Sequence, residues 1–267
     1  MQCLWVHLAR YEAFNQPQGI FAADDSEDRD LQPEPSETAG RDRGPAPDFA
    51  HKPTCVRLFT KLRESIEIAE DFVDESEQSV EARQKARQLG VAPIGRGSAS
   101  ALTFLAKVVQ AKTVVEVGTG SGVSGLALFA GMQPDGVLTS VDIEPEHQQA
   151  AREAFLAVGI PTQRFRLIAG PALSVLPRLS DGADDIVFLD ADKVEYAEYV
   201  EQGLRLLRHG GVLAVDNALW HDRTADGSHI DKETEAIRNA LIAVKDNEDL
   251  VSSLLPVGDG LLVAVKR

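Results

Sequence analysis

Apolar residues recur at three- and four-residue steps through Val56, Phe59, Leu62, Ile66, Ala69 and Val73, which predicts a helix over 54–73. A second helix is predicted over 79–89, stopped by Gly90 with Pro93 beyond it, and a third over 98–109. The period then changes. Thr113 to Val117 is a Val-rich run suited to a strand buried on both faces. From there strands (137–142, 166–168, 186–189, 212–215) alternate with helices (124–130, from 145, 172–179, 196–207, 232–245). That alternation predicts a mostly parallel sheet flanked by helices. Residues 250–257 and 261–265 are apolar runs around Gly258-Asp259-Gly260, a β-hairpin that adds an antiparallel strand. No internal repeat is visible.

Composition alters this picture at the N-terminus. Residues 22–53 are rich in Asp, Glu, Pro, Ser and Gly and have almost no aliphatic residue beyond Leu31, so they are expected to be disordered. Residues 4–21 hold enough apolar positions for a short helix. The expected organisation is an acidic extension over 1–53 and a domain over 54–267, with helices over 54–110 and an α/β core over 111–267. The formal net charge of −15 argues against nucleic acid or an anionic membrane as partner. Two isolated cysteines, Cys3 and Cys55, make no disulfide framework. No apolar run approaches the roughly 18 residues of a membrane span, and His7, Arg10 and Glu12 interrupt any secretory signal. The expectation is a cytoplasmic protein.

Candidate chemistry begins with Val117-Gly118-Thr119-Gly120-Ser121-Gly122, a glycine-rich loop directly after the first strand. Ligands gather at this carboxyl edge of open α/β sheets. Asp142, ending the second strand, is placed to accept hydrogen bonds from a ribose. Gly120-x-Gly122-x-x-Gly125 also satisfies the dinucleotide fingerprint, so an NAD-dependent oxidoreductase stays open. Glu116 within the strand and the terminal hairpin tilt the reading toward S-adenosylmethionine (SAM).

Asp190-Ala191-Asp192-Lys193 follows the fourth strand and Asp216-Asn217 the fifth. Neighbouring strand ends lie about 5 Å apart. Asp190, Asp216 and Asn217 can then converge on one hard cation such as Mg²⁺ through oxygen ligands, with Lys193 within reach as a proton acceptor. Taken singly, each aspartate is as well explained as a helix or turn cap.

Together, Val-Val-Glu-Val-Gly-Thr-Gly-Ser-Gly-Val-Ser (114–124), Phe-Leu-Asp-Ala-Asp-Lys (188–193) with Tyr196, and Val-Asp-Asn-Ala-Leu-Trp (215–220) resemble the cation-dependent O-methyltransferases, which include the catechol and caffeoyl-coenzyme A enzymes. The resemblance runs from about Ala92 to the C-terminus. It implies a Rossmann-like class I fold: a mostly parallel seven-stranded sheet with helices on both faces and a C-terminal antiparallel hairpin. It implies Asp190, Asp216 and Asn217 as ligands of Mg²⁺ or another divalent cation, and Lys193 as general base. Glu116 and Gly118 would line the SAM loop, Ser124 hold the SAM carboxylate, Asp142 the ribose, Ala172 flank the adenine and Ile94 contact the methionine end, with Asp190 also in the cofactor site. Trp220 would wall a small hydroxylated aromatic substrate, and a homodimer is implied. The family's longer apolar, Met-containing stretch is replaced here by Gly90-Val-Ala-Pro-Ile-Gly-Arg-Gly97. A non-catalytic SAM-binding protein is the remaining alternative.

Overall fold

The computed structural model describes residues 64–267. The short helix predicted at 4–21, the disorder predicted at 22–53 and the start of the helix predicted from 54 lie outside the described residues. The last of these helices ends at residue 70, before Val73, with a turn at 71–73. There Asp71 is drawn into an ion pair with Arg96 at 2.5 Å. Helix α1 (Glu77–Leu89) starts where the Ser76 hydroxyl accepts the N–H of Ser79 at 3.1 Å and stops at Gly90, whose φ of 72° is left-handed. Helix α2 (Arg96–Val108) follows after the cavity-lining segment 91–95.

Strands β1 (Thr113–Val117), β2 (Val137–Asp142), β3 (Phe165–Ala169), β4 (Asp184–Leu189), β5 (Leu207–Val215), β6 (Leu250–Leu255) and β7 (Leu261–Lys266) form one seven-stranded sheet in the order β3-β2-β1-β4-β5-β7-β6. The first five are parallel, and β7 runs antiparallel to both β5 and β6. The intervening helices are α3 (Val123–Gly131), α4 (Pro145–Ala157), α5 (Ala172–Val175), α6 (Tyr196–Leu206) and α7 (Lys232–Lys245).

Period-two alternation along the central strands assigns each side chain to one of two cores. Val114, Ile186, Phe188, Val212 and Ala214 face α2, α3 and α4. Val115, Val187, Leu189, Leu213 and Val215 face α6 and α7. On the first side Phe155 stands edge-on to Phe129 and Phe165, with centroids 5.2 and 5.4 Å away. Both faces are apolar and covered, which is why these strands read as continuous Val/Ile/Leu runs.

Two elements differ from the sequence reading. The helix predicted over 172–179 is one α-turn followed by a 3₁₀ turn at Leu176–Arg178, because Pro177 has no N–H to donate. Strand β5 begins at Leu207 rather than Val212. Leu207 already pairs with Asp184, and an irregularity between Asp184 and Ile186 absorbs the offset introduced by His209-Gly210-Gly211. Lys266 donates to the Leu204 and Leu207 carbonyls at 2.7 and 2.9 Å, closing α6 where the strand begins. Among the described residues no helix is long and apolar enough to cross a membrane.

The sheet's hydrogen bonding continues one residue past three strand ends. Gly118 donates to Val141 O at 2.9 Å, Asp190 to Val117 O at 2.8 Å and Asp216 to Leu189 O at 3.0 Å. Gly118, Asp190 and Asp216 are thereby aligned along one edge.

Candidate active site

That edge opens into a cavity of about 710 Å³. Its floor is the glycine loop. Gly118 has a φ of 97°, and a Cβ there would lie 1.9 Å from the carbonyl oxygen of Asp190, so only glycine lets β1 and β4 approach this closely. Asp142 Oδ2 accepts the loop N–H groups of Thr119 and Gly120 at 2.9 and 3.0 Å. Its Oδ1 accepts Glu144 N–H at 2.9 Å and lies 3.2 Å from His147 Nδ1. The same carboxylate lines the cavity, so it braces the loop and faces the ligand space.

Glu116 is the one predicted site residue that is absent from the cavity wall. It lies beneath the loop, fully buried, accepting the Ser140 hydroxyl at 2.5 Å, while Thr119 Oγ1 lies 2.7 Å from that same hydroxyl. Its second oxygen, Oε1, has no partner. Burial pushes the Glu116 carboxyl up to about 7, against the opposing influence of the Ser140 and Ser124 hydroxyls.

On the opposite side of the cavity, Asp190, Lys193, Asp216 and Asn217 come together as predicted. Lys193 Nζ donates to Asp190 Oδ1 at 3.0 Å and to the Tyr196 hydroxyl at 2.6 Å. The Tyr196 hydroxyl donates in turn to the backbone carbonyl of Asp216 at 3.1 Å. The ammonium also lies 4.8 Å from the Tyr196 ring centre and 5.8 Å from that of Trp220. Asp216 is 2% exposed, and burial followed by the charge of Asp190 holds its carboxyl above the usual carboxylate range. Two carboxylates forced together in this way favour a cation between them. Two acids and an amide oxygen form an all-oxygen donor set that fits a hard divalent ion. Among the described residues no group of three or more His, Cys, Asp or Glu is arranged to hold a metal ion.

Ile94, Ser124, Ala172 and Trp220 line the same cavity. Trp220, His221 and Asp222 hold left-handed φ values of 48°, 53° and 64°, a strained run for residues with side chains. Asp259 secures it by accepting the His221 N–H at 2.7 Å. Sequence reasoning missed Asp259, His147 and Ser98. Ser98 Oγ donates to Asp216 Oδ1 at 3.0 Å from 118 residues away, and its local sequence is an ordinary first helical turn.

A glycine turn after β1, a bracing acid at the end of β2 and an antiparallel β7 inserted into a parallel sheet define a Rossmann-like methyltransferase. More particularly, the chain belongs to the O-methyltransferase family, which its residues 68–267 match. A Mycobacterium sp. (strain KMS) protein named as an O-methyltransferase is 44% identical over 205 residues, 74% of this chain and 93% of the relative. A Corynebacterium glutamicum crystal structure superposes with a TM-score of 0.71 at 27% identity, covering 78% of this chain and 97% of that one. The O-methyltransferase TomG of Streptomyces achromogenes, involved in tomaymycin synthesis and solved with SAM, gives 0.68 at 26%, covering 75% and 94%. Family membership sets aside the dinucleotide reading of Gly120-x-Gly122-x-x-Gly125 and makes the chain an enzyme.

Proposed function

We propose that this enzyme transfers a methyl group from SAM to a hydroxyl of a small catechol-like or phenolic acceptor, with a divalent cation, Mg²⁺ or a similar ion, at Asp190, Asp216 and Asn217. The observation that carries the reading is Lys193, held between Asp190 and the Tyr196 hydroxyl beside the carboxylate pair, in the same cavity as the glycine loop. Bound SAM supplies an electrophilic methyl group, and a bound cation supplies Lewis acidity toward the acceptor hydroxyl.

The chain's own residues do the rest. Gly118 and the loop N–H groups braced by Asp142 leave room for the donor along the β1 edge. Trp220 offers a flat wall beside Lys193 for an aromatic ring. In the transfer, the acceptor oxygen forms its bond to the methyl carbon as the sulfur–carbon bond breaks, and the hydroxyl proton passes to Lys193. Lys193 suits this role because its Nζ is fixed by two partners and its side chain is only 11% exposed, so the proton acceptor is placed before the substrate arrives. A homodimer and a cytoplasmic location belong to the same reading.

The test is methyl transfer from SAM to catechol with Mg²⁺ or with EDTA, in the wild type and in Asp216→Ala. Transfer that EDTA and the substitution both abolish, with S-adenosylhomocysteine (SAH) affinity kept within a few-fold, supports the reading. Unchanged turnover in Asp216→Ala overturns the cation assignment.

A further inference from the structure

Ser98 stands in the first turn of α2, is fully buried and aims its hydroxyl across the sheet edge at Asp216 Oδ1, 3.0 Å away. We propose that Ser98 is a positioning residue for the cation site: it anchors one oxygen of Asp216 so that the other is left for the cation. The inference rests on the proposed cation reading.

Three features make this more than an incidental contact. The acceptor is a nearly buried carboxylate beside a second one, where a charge-assisted hydrogen bond is strongest. The alternative acceptor, the Val257 carbonyl, lies at 3.5 Å, so the hydroxyl is directed to Asp216. The hydroxyl is also closely packed against the turn before β7. A Cβ on Gly258 would lie 2.4 Å from Ser98 Oγ, so the turn leaves no room there for any residue but glycine. Glu70 ties that turn to α2, its carboxylate accepting Gly97 N–H at 2.8 Å and Gly258 N–H at 2.5 Å.

Outer partners that orient a ligating carboxylate typically carry a 10–100-fold effect on metal affinity (roughly, by analogy with other metal sites). The experiment titrates Mn²⁺ into metal-stripped wild type and Ser98→Ala, reading free Mn²⁺ by electron paramagnetic resonance, with SAH affinity measured calorimetrically on the same samples. The expected result is a loss of Mn²⁺ affinity of about 10-fold or more in Ser98→Ala, with SAH affinity within about three-fold of wild type. Equal Mn²⁺ affinity in the two proteins overturns the inference and leaves Ser98 a packing residue, while the cation reading stands. No Mn²⁺ binding by wild type removes both. If circular dichroism shows Ser98→Ala unfolded, Ser98→Cys carries the same comparison, since it keeps the side chain's place with a much weaker donor.

Discussion

The carboxyl of Glu116 is the most sharply perturbed group beneath the site, and its linkage to stability is measurable. Its pKa rises from 4.5 to about 7 on burial, and at about 1.4 kcal/mol per pH unit the charged form weakens the fold by about 3 kcal/mol. The sign follows from proton counting. Between about pH 4.5 and 7 the folded protein keeps a proton that the unfolded chain has lost, so this group's contribution falls as pH rises and is flat above 7. Glu116→Gln removes the charge and keeps an oxygen to accept the Ser140 hydroxyl. The amide N–H₂ it introduces near the unpartnered Oε1 position adds an offset that does not vary with pH, so the diagnostic is the slope. Melting curves of the ligand-free proteins between pH 4.5 and 8 should show the variant gaining on wild type by about 3 kcal/mol, or roughly 6–12 °C for a domain of this size. A difference that stays constant across that range refutes the assignment of the raised pKa to Glu116.

Lys193→Met should lower turnover about 10²–10⁴-fold in a methyl-transfer assay while SAH affinity changes little, as expected for loss of a proton acceptor; turnover within ten-fold of wild type excludes that role. Gly118→Ala forces a Cβ to 1.9 Å from the Asp190 carbonyl at a left-handed φ, so calorimetry should find SAH binding lost along with a lower melting temperature. Phe155→Ala empties the centre of the Phe129–Phe155–Phe165 cluster, and urea unfolding should register a loss of about 3–5 kcal/mol. Glu70→Ala removes two charge-assisted hydrogen bonds at a half-buried position, and thermal unfolding should record about 1–3 kcal/mol of destabilisation.

The sheet was legible because its strands are buried on both faces. Thr113–Val117 and Val137–Asp142 carry apolar runs with no competing helical period, and both lie where the pattern put them. The start of β5 was hidden because Leu207 continues the apolar spacing of α6, and the following Gly-Gly looks like a break. Only the pairing of Leu207 with Asp184 makes it strand. Pro177 was a visible signal that the helix predicted over 172–179 could not run through. Asp190 and Asp216 were legible as a pair because parallel neighbours in register bring their ends together, Leu189 opposite Val215. Glu116 was found by its place in the motif, but its position behind the cavity wall depends on side-chain parity and on Ser140 from the next strand. Ser98 and Glu70 reach partners 118 and 188 residues away, and no local period encodes such contacts.

The left-handed run at Trp220–Asp222 separates two kinds of change that evolution can make to this enzyme. Asp190 and Asp216 sit just past strand ends, locked by the register of the sheet, whereas the wall proposed to face the acceptor is a turn held by Asp259 through the His221 N–H. On the proposed reading, a new acceptor shape calls for rebuilding 218–222 and its anchor, with β1, β4 and β5 left as they are. Random variation confined to those few positions is where a search for altered acceptor scope should begin, and residues that relax the strained backbone there are the ones it should enrich first.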